Sequence, residues 1–143
     1  MAEGALVRFE NEDGIGVITI DNPPVNALSP GVPEGIIENI ERGNADPAIK
    51  AMVLIGAGRS FIAGADIRTF GNRPPPVLGK RAHDALDASQ KPVVAAIHGY
   101  ALGGHSVPVV EIFRKKRADT ANLVVSHVVA ADLTVIVREA VWK

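Results

Sequence analysis

Ala51-Met52-Val53-Leu54-Ile55 is an uninterrupted apolar run held between Lys50 and Gly56. Strand side chains alternate between two faces, so a short strand that is apolar at every position must be covered on both. That is the situation of a strand inside a parallel sheet. Pro92-Val93-Val94-Ala95-Ala96-Ile97 repeats the pattern and runs into His98-Gly99-Tyr100. Before it, Lys80 to Gln90 carries Ala82, Ala85, Leu86 and Ala88 on or near one helical face. Strand and helix signals alternate, and the fold class expected is α/β.

The earlier residues fit the same scheme. Gly16-Val17-Ile18-Thr19-Ile20-Asp21 is a β-branched run ending at the turn Asn22-Pro23-Pro24. Residues Val7 to Glu10 are expected to pair with it as a hairpin through Glu12-Asp13-Gly14. Ser29-Pro30 then predicts a helix start, with Ser29 at the N-cap and Pro30 at the first position. Ile36, Ile37 and Ile40 supply its apolar face, Gly35 weakens it, and Gly43-Asn44 is expected to end it. Gly71 to Gly79, with three consecutive prolines, reads as a loop.

Charge and composition remove several function classes. With 15 basic and 16 acidic side chains the formal charge is −1, which gives no electrostatic attraction towards nucleic acid or an anionic membrane. Neither is expected as a partner. No cysteine is present, which excludes disulfides, thiolate nucleophiles and sulfur-rich metal sites. His83, His98 and His127 have no companions at metal-ligand spacing, so no metal site is expected. The N-terminal MAEGALVRFENEDG has neither the apolar run of a signal peptide nor the arginines of a transit peptide. The stretch Leu123 to Val137, broken by Ser126, His127 and Asp132, is too short and polar for a membrane span. A cytoplasmic location is the expectation.

Glycine clusters mark where a ligand can approach the backbone. Gly56-Ala57-Gly58-Arg59-Ser60-Phe61 follows a strand but has Phe61 where a dinucleotide fingerprint needs its third glycine. Nor does an acidic residue about 20 positions on complete such a fingerprint. Two later clusters carry more weight: Phe61-Ile62-Ala63-Gly64-Ala65-Asp66-Ile67, and Gly99-Tyr100-Ala101-Leu102-Gly103-Gly104. Small residues at strand ends leave N–H groups accessible to an oxyanion, and open α/β sheets bind ligands at that edge. The same residues also suit plain tight turns, and the residues by themselves leave both readings open.

Four segments together resemble a known family. Asn22-Pro23-Pro24-Val25-Asn26-Ala27-Leu28-Ser29, Val53 to Phe61, Ala63-Gly64-Ala65-Asp66-Ile67 and Lys91 to Gly104 occur in the order and approximate spacing of the crotonase (enoyl-CoA hydratase/isomerase) superfamily. The wording is most similar to the hydratase/isomerase region of multifunctional fatty-acid oxidation enzymes. The resemblance implies a crotonase-like core of ββα repeats, incomplete, over residues 1–104; the remainder, 105–143, is expected to be a divergent tail packed on the same domain. It implies an acyl-CoA thioester as ligand, with coenzyme A as part of the substrate and no permanently bound cofactor. Its carbonyl would lie between the backbone N–H groups of Ala65 and Gly104, an oxyanion hole for the developing enolate. Ala27, Ala63, Gly64, Asp66 and Gly103 would contact the CoA side. Arg59 or Arg68 would be placed to meet a phosphate, although a solvated surface arginine is the simpler reading of each. Family members assemble as trimers or hexamers, so a homo-oligomer is implied.

The tail departs from that pattern. All 14 glycines precede residue 105, and the last 39 residues contain none. Such a valine-rich tail is expected to be strand or helix without tight turns. Hydration needs a carboxylate to move the water proton. The family's glutamate position is Val107 here, its third glycine is His105, and its second glutamate has no counterpart. Glu111 would lie one helical turn on, displaced by about 5 Å. His105 is the other titratable substitute, with an ordinary pKa near ~6.5. Two readings follow: a hydratase or isomerase, or a catalytically inactive module that only binds acyl-CoA or self-associates.

Overall fold

The computed structural model describes residues 4–69, 77–100 and 124–126. The chain opens with a hairpin of β1 (Val7–Glu12) and β2 (Ile15–Ile20). Its two-residue turn places Asp13 and Gly14 at φ 51° and 89°, the geometry that follows the strand twist. Asn11 Oδ1 accepts the Gly14 N–H at 2.9 Å and closes it. In β1, Val7 and Phe9 are buried while Arg8 and Glu10 are exposed, as expected of a strand with one wet face.

β3 (Ala51–Gly56) pairs parallel with β2, and β4 (Val93–Ile97) pairs parallel with β3. β5 (Val124–Ser126) adds to the free side of β4, so the five strands lie in sequence order. The apolar run is covered on both faces. Met52 and Leu54 join the main core, while Ala51 and Val53 form a second cluster with Val94 and Ala96.

Helices α1 (Val32–Ala45) and α2 (Val77–Asp87) supply the main core's other side. Val32, Ile36 and Ile40 of α1 and Ala82 and Leu86 of α2 meet Ile18, Ile20, Leu54 and Val93. Burying a side chain the size of Ile36 or Ile40 is worth about 1.5–3 kcal/mol, so this stripe seats α1. Lys91 Nζ donates to the Gly43 and Asp46 carbonyls at 2.7 and 2.6 Å, tying the end of α1 to the start of β4.

The ends of α1 differ from expectation. The N-cap is Gly31, at φ 99°, with Pro33 in the first turn and Glu34 Oε2 accepting the Gly31 N–H at 2.8 Å. Ser29 is not the cap, because its hydroxyl is taken by a charged acceptor, Asp66. Gly43 does not end the helix either. It is buried within it, where a Cβ would strike Met52 Sδ. α2 begins at Val77, inside the segment expected to be loop, and residues 70–76 lie outside the described ones.

Candidate functional site

The carboxyl ends of β2, β3 and β4 open onto one edge, and three loops meet there. The first, 21–30, is folded on its own polar groups. Asn22 Nδ2 donates to the Ala27 carbonyl at 2.7 Å and to Ser29 Oγ at 2.9 Å. Asn26 Oδ1 accepts the Asn22 N–H at 2.9 Å. The peptide between Pro23 and Pro24 is cis. Asn26 itself sits at φ 55°, a left-handed conformation that asparagine tolerates better than most residues.

The second loop leaves β3 as a closed turn. A Cβ on Gly56 would meet the Ser60 and Phe61 carbonyls, so the Gly56–Phe61 segment packs on itself rather than forming an open cradle. No helix follows it directly, which agrees with the missing third glycine of a dinucleotide fingerprint. Asn26 Nδ2 fastens the first loop to this turn through the Ala57 and Ser60 carbonyls, at 2.8 and 2.7 Å. Arg59 is exposed.

The third loop follows β4. Its Gly99, at φ 59°, lies so close to the Arg59 carbonyl that no side chain fits. This approach lets the Phe61 N–H reach the His98 carbonyl at 2.9 Å and the Ile62 N–H reach the Tyr100 carbonyl at 3.3 Å. His98 Nε2 lies 3.0 Å from the Gly58 carbonyl, and since a carbonyl only accepts, Nε2 carries the hydrogen. Tyr100, the last described residue of this loop, is thereby held beside Ile62.

Ala63, Gly64, Ala65 and Asp66 come next, with Ala27 and Leu28 alongside. The Ala63 N–H donates to the Val25 carbonyl at 3.2 Å, and the Leu28 N–H to the Gly64 carbonyl at 2.8 Å. Leu28 and Ala65 form an isolated parallel bridge. A trans peptide is planar with its C=O and N–H pointing opposite ways. Anchoring the Gly64 carbonyl on Leu28 therefore turns the Ala65 N–H away from Leu28. Among the described residues no acceptor meets that N–H. A half-buried, oriented and unclaimed amide is the kind of donor that stabilises an oxyanion.

Asp66 is buried and internally engaged. Its Oδ2 accepts from Ser29 Oγ and Arg68 Nη2, each at 2.8 Å. Its Oδ1 accepts from Arg68 Nε at 2.8 Å and from the Arg68 N–H at 3.0 Å. The Arg68 fork, and next the Ser29 hydroxyl, hold the carboxyl well below the ordinary value of 3.8, with burial opposing them. Asp66 in turn raises the Arg68 pKa. Arg68 is thus more than a solvated arginine, though 79% of its side chain is exposed.

Ala27, Ala63, Gly64, Ala65 and Asp66 lie together beside the Leu28–Ala65 bridge. Gly103, Gly104, His105, Val107 and Glu111 lie outside the described residues. Asn26 and Ser29, which knit the site, stand inside the first motif but are not among the site residues expected from sequence, where Ser29 reads as a helix cap. An asparagine just past an Asn-Pro-Pro turn was the available signal for a left-handed residue.

Comparison with known proteins places this geometry. A family model described as enoyl-CoA hydratase/isomerase matches residues 10–110. The "Peroxisomal bifunctional enzyme" of Danio rerio is 48% identical over 102 residues, covering 69% of this chain and 14% of that protein. The "Probable enoyl-CoA hydratase" of Bacillus subtilis (strain 168) is 38% identical over 97 residues, covering 63% of this chain and 38% of that one. Among solved structures, an enoyl-CoA hydratase/carnithine racemase from Magnetospirillum magneticum superposes with a TM-score of 0.61 at 33% identity, over 70% of this chain and 41% of that one. The chain spans less than half the length of each of these relatives. With its motifs, its sheet and the family match over most of its length in agreement, the chain belongs to the enoyl-CoA hydratase/isomerase family.

Proposed function

We propose that this chain binds an acyl-CoA thioester and stabilises negative charge on its carbonyl oxygen. The observation that carries the reading is the Ala65 N–H, aimed by its anchored peptide and free of any acceptor among the described residues. The family's second donor corresponds to Gly104. Two fixed N–H dipoles on one oxygen favour an enolate-like state, and each such donor is worth about 3 kcal/mol. Ala27, Ala63, Gly64 and Gly103 would meet the CoA moiety. Asp66 would do so through its backbone, since Ser29 and Arg68 occupy its carboxylate.

Hydration is a separate matter. It needs a general acid–base at the position held by Val107, and valine transfers no proton. The sequence thus favours binding and polarisation of the thioester without water addition. Calorimetric titration with a short acyl-CoA, beside a hydration assay on the matching enoyl-CoA, tests both halves. Saturable binding with hydration no faster than in buffer is expected. No binding at millimolar ligand would remove the proposal, and rapid hydration would restore a full hydratase.

A further inference from the structure

We propose that Ser29 is a positioning residue for the Ala65 N–H, acting through Asp66. Two consecutive residues of the first loop grip the turn on both sides of Ala65. The Leu28 N–H holds the Gly64 carbonyl, and the Ser29 hydroxyl holds the Asp66 carboxylate, each at 2.8 Å. The first contact sets the plane of the Gly64–Ala65 peptide. The second fixes the residue that follows it, so neither end of Ala65 is left to rotate.

The direction of the Ser29 bond is forced. A serine hydroxyl has one hydrogen, and its oxygen already accepts from Asn22 Nδ2 at 2.9 Å. Asp66, ionised, can only accept. The hydrogen therefore lies between Ser29 and Asp66, giving an ordered chain from Asn22 through Ser29 to Asp66. Arg68 closes it from the opposite side with Nε and Nη2, each at 2.8 Å. Ser29 is buried, and its hydroxyl is engaged by Asn22 and Asp66. It aligns the donor without touching the ligand.

For its consequence the inference rests on the thioester reading, but its structural half can be read without ligand. Amide hydrogen exchange of the Leu28 N–H reports the contact that sets the peptide plane. In Ser29→Ala we expect Leu28 protection to fall about tenfold while β3 amides keep theirs, because a charge-assisted bond that braces the turn is gone. Ser29→Thr, which keeps the hydroxyl, should restore it. A second reading uses the wild-type chain and Ser29→Ala at saturating carbonyl-labelled acyl-CoA. The infrared thioester stretch should lie below its value in buffer for wild type and return towards that value in the variant. A brace of stability alone would change melting temperature and leave this stretch in place. Unchanged Leu28 protection, or an unchanged stretch in the variant, overturns the relay. Failure of the wild-type chain to bind acyl-CoA instead contradicts the thioester reading, and the positioning role falls with it.

Discussion

Asn26 holds Ser60 across the mouth of the sheet, its Nδ2 donating to the Ser60 carbonyl at 2.7 Å from a loop 34 residues earlier. The same nitrogen takes the Ala57 carbonyl, so one buried side chain sets the distance between the first two loops of the site. Replacing it with aspartate keeps the shape but sets a carboxylate against two carbonyls. Asn26→Asp is expected to lower stability in urea by about 2–4 kcal/mol, and Asn26→Gly, which keeps φ but loses all three side-chain hydrogen bonds without adding a charge, by less. An aspartate variant within about 0.5 kcal/mol of wild type would show that the link is dispensable.

Gly99 offers a steric test of the third loop. A Cβ there would collide with the Arg59 carbonyl, and φ is 59° besides. Gly99→Ala is expected to cost about 2–4 kcal/mol, because backbone rather than a flexible side chain must give way. Thermal unfolding checks it. A melting temperature equal to wild type would mean the two loops are not held together as described.

Lys91 acts at the opposite end of the sheet. Its ammonium group satisfies carbonyls at the end of α1, where the helix dipole is negative. Lys91→Met keeps the aliphatic stem and removes the donors, and should cost about 1–2 kcal/mol. Faster amide exchange in the last turn of α1, with the site loops unaffected, is the accompanying signature. Exchange rates unchanged there would contradict the tie.

Asp66 gives the pH dependence. Its folded pKa lies below the unfolded one, so its stabilisation is fully present above the ordinary value of 3.8. It is lost as pH falls from there towards the lowered folded value. Wild type should therefore lose more stability than Asp66→Asn on acidification below about pH 4, and the two should differ most near neutrality. Parallel curves for the two proteins would mean Asp66 is not held ionised by Arg68 and Ser29.

The first four strands were legible in the sequence because their pattern is local, whereas the tail that holds β5 reads as strand or helix. Ala51 to Ile55 announces burial on two faces, and Asp13-Gly14 announces a two-residue turn. Both misreadings of α1 arose where distant residues outweigh local preference. Gly43 resembles a helix stop, yet it is a glycine because Met52, from the next strand, fills the space of its Cβ. Ser29 resembles an N-cap, yet an arginine-held carboxylate 37 residues on takes its hydroxyl. The Ala63–Asp66 turn was visible through its small residues. What anchors it was not, since Asn26, Ser29 and Leu28 hold residues between 31 and 37 positions further along the chain.

An oxygen that bears charge should announce itself on the Ala65 amide. In two-dimensional NMR of the ¹⁵N-labelled chain, the Ala65 amide proton is expected to move downfield with a short acyl-CoA and to move far less with free CoA, which lacks the thioester carbonyl. An Ala65 resonance indifferent to both, or shifted equally by both, would contradict the thioester-binding role.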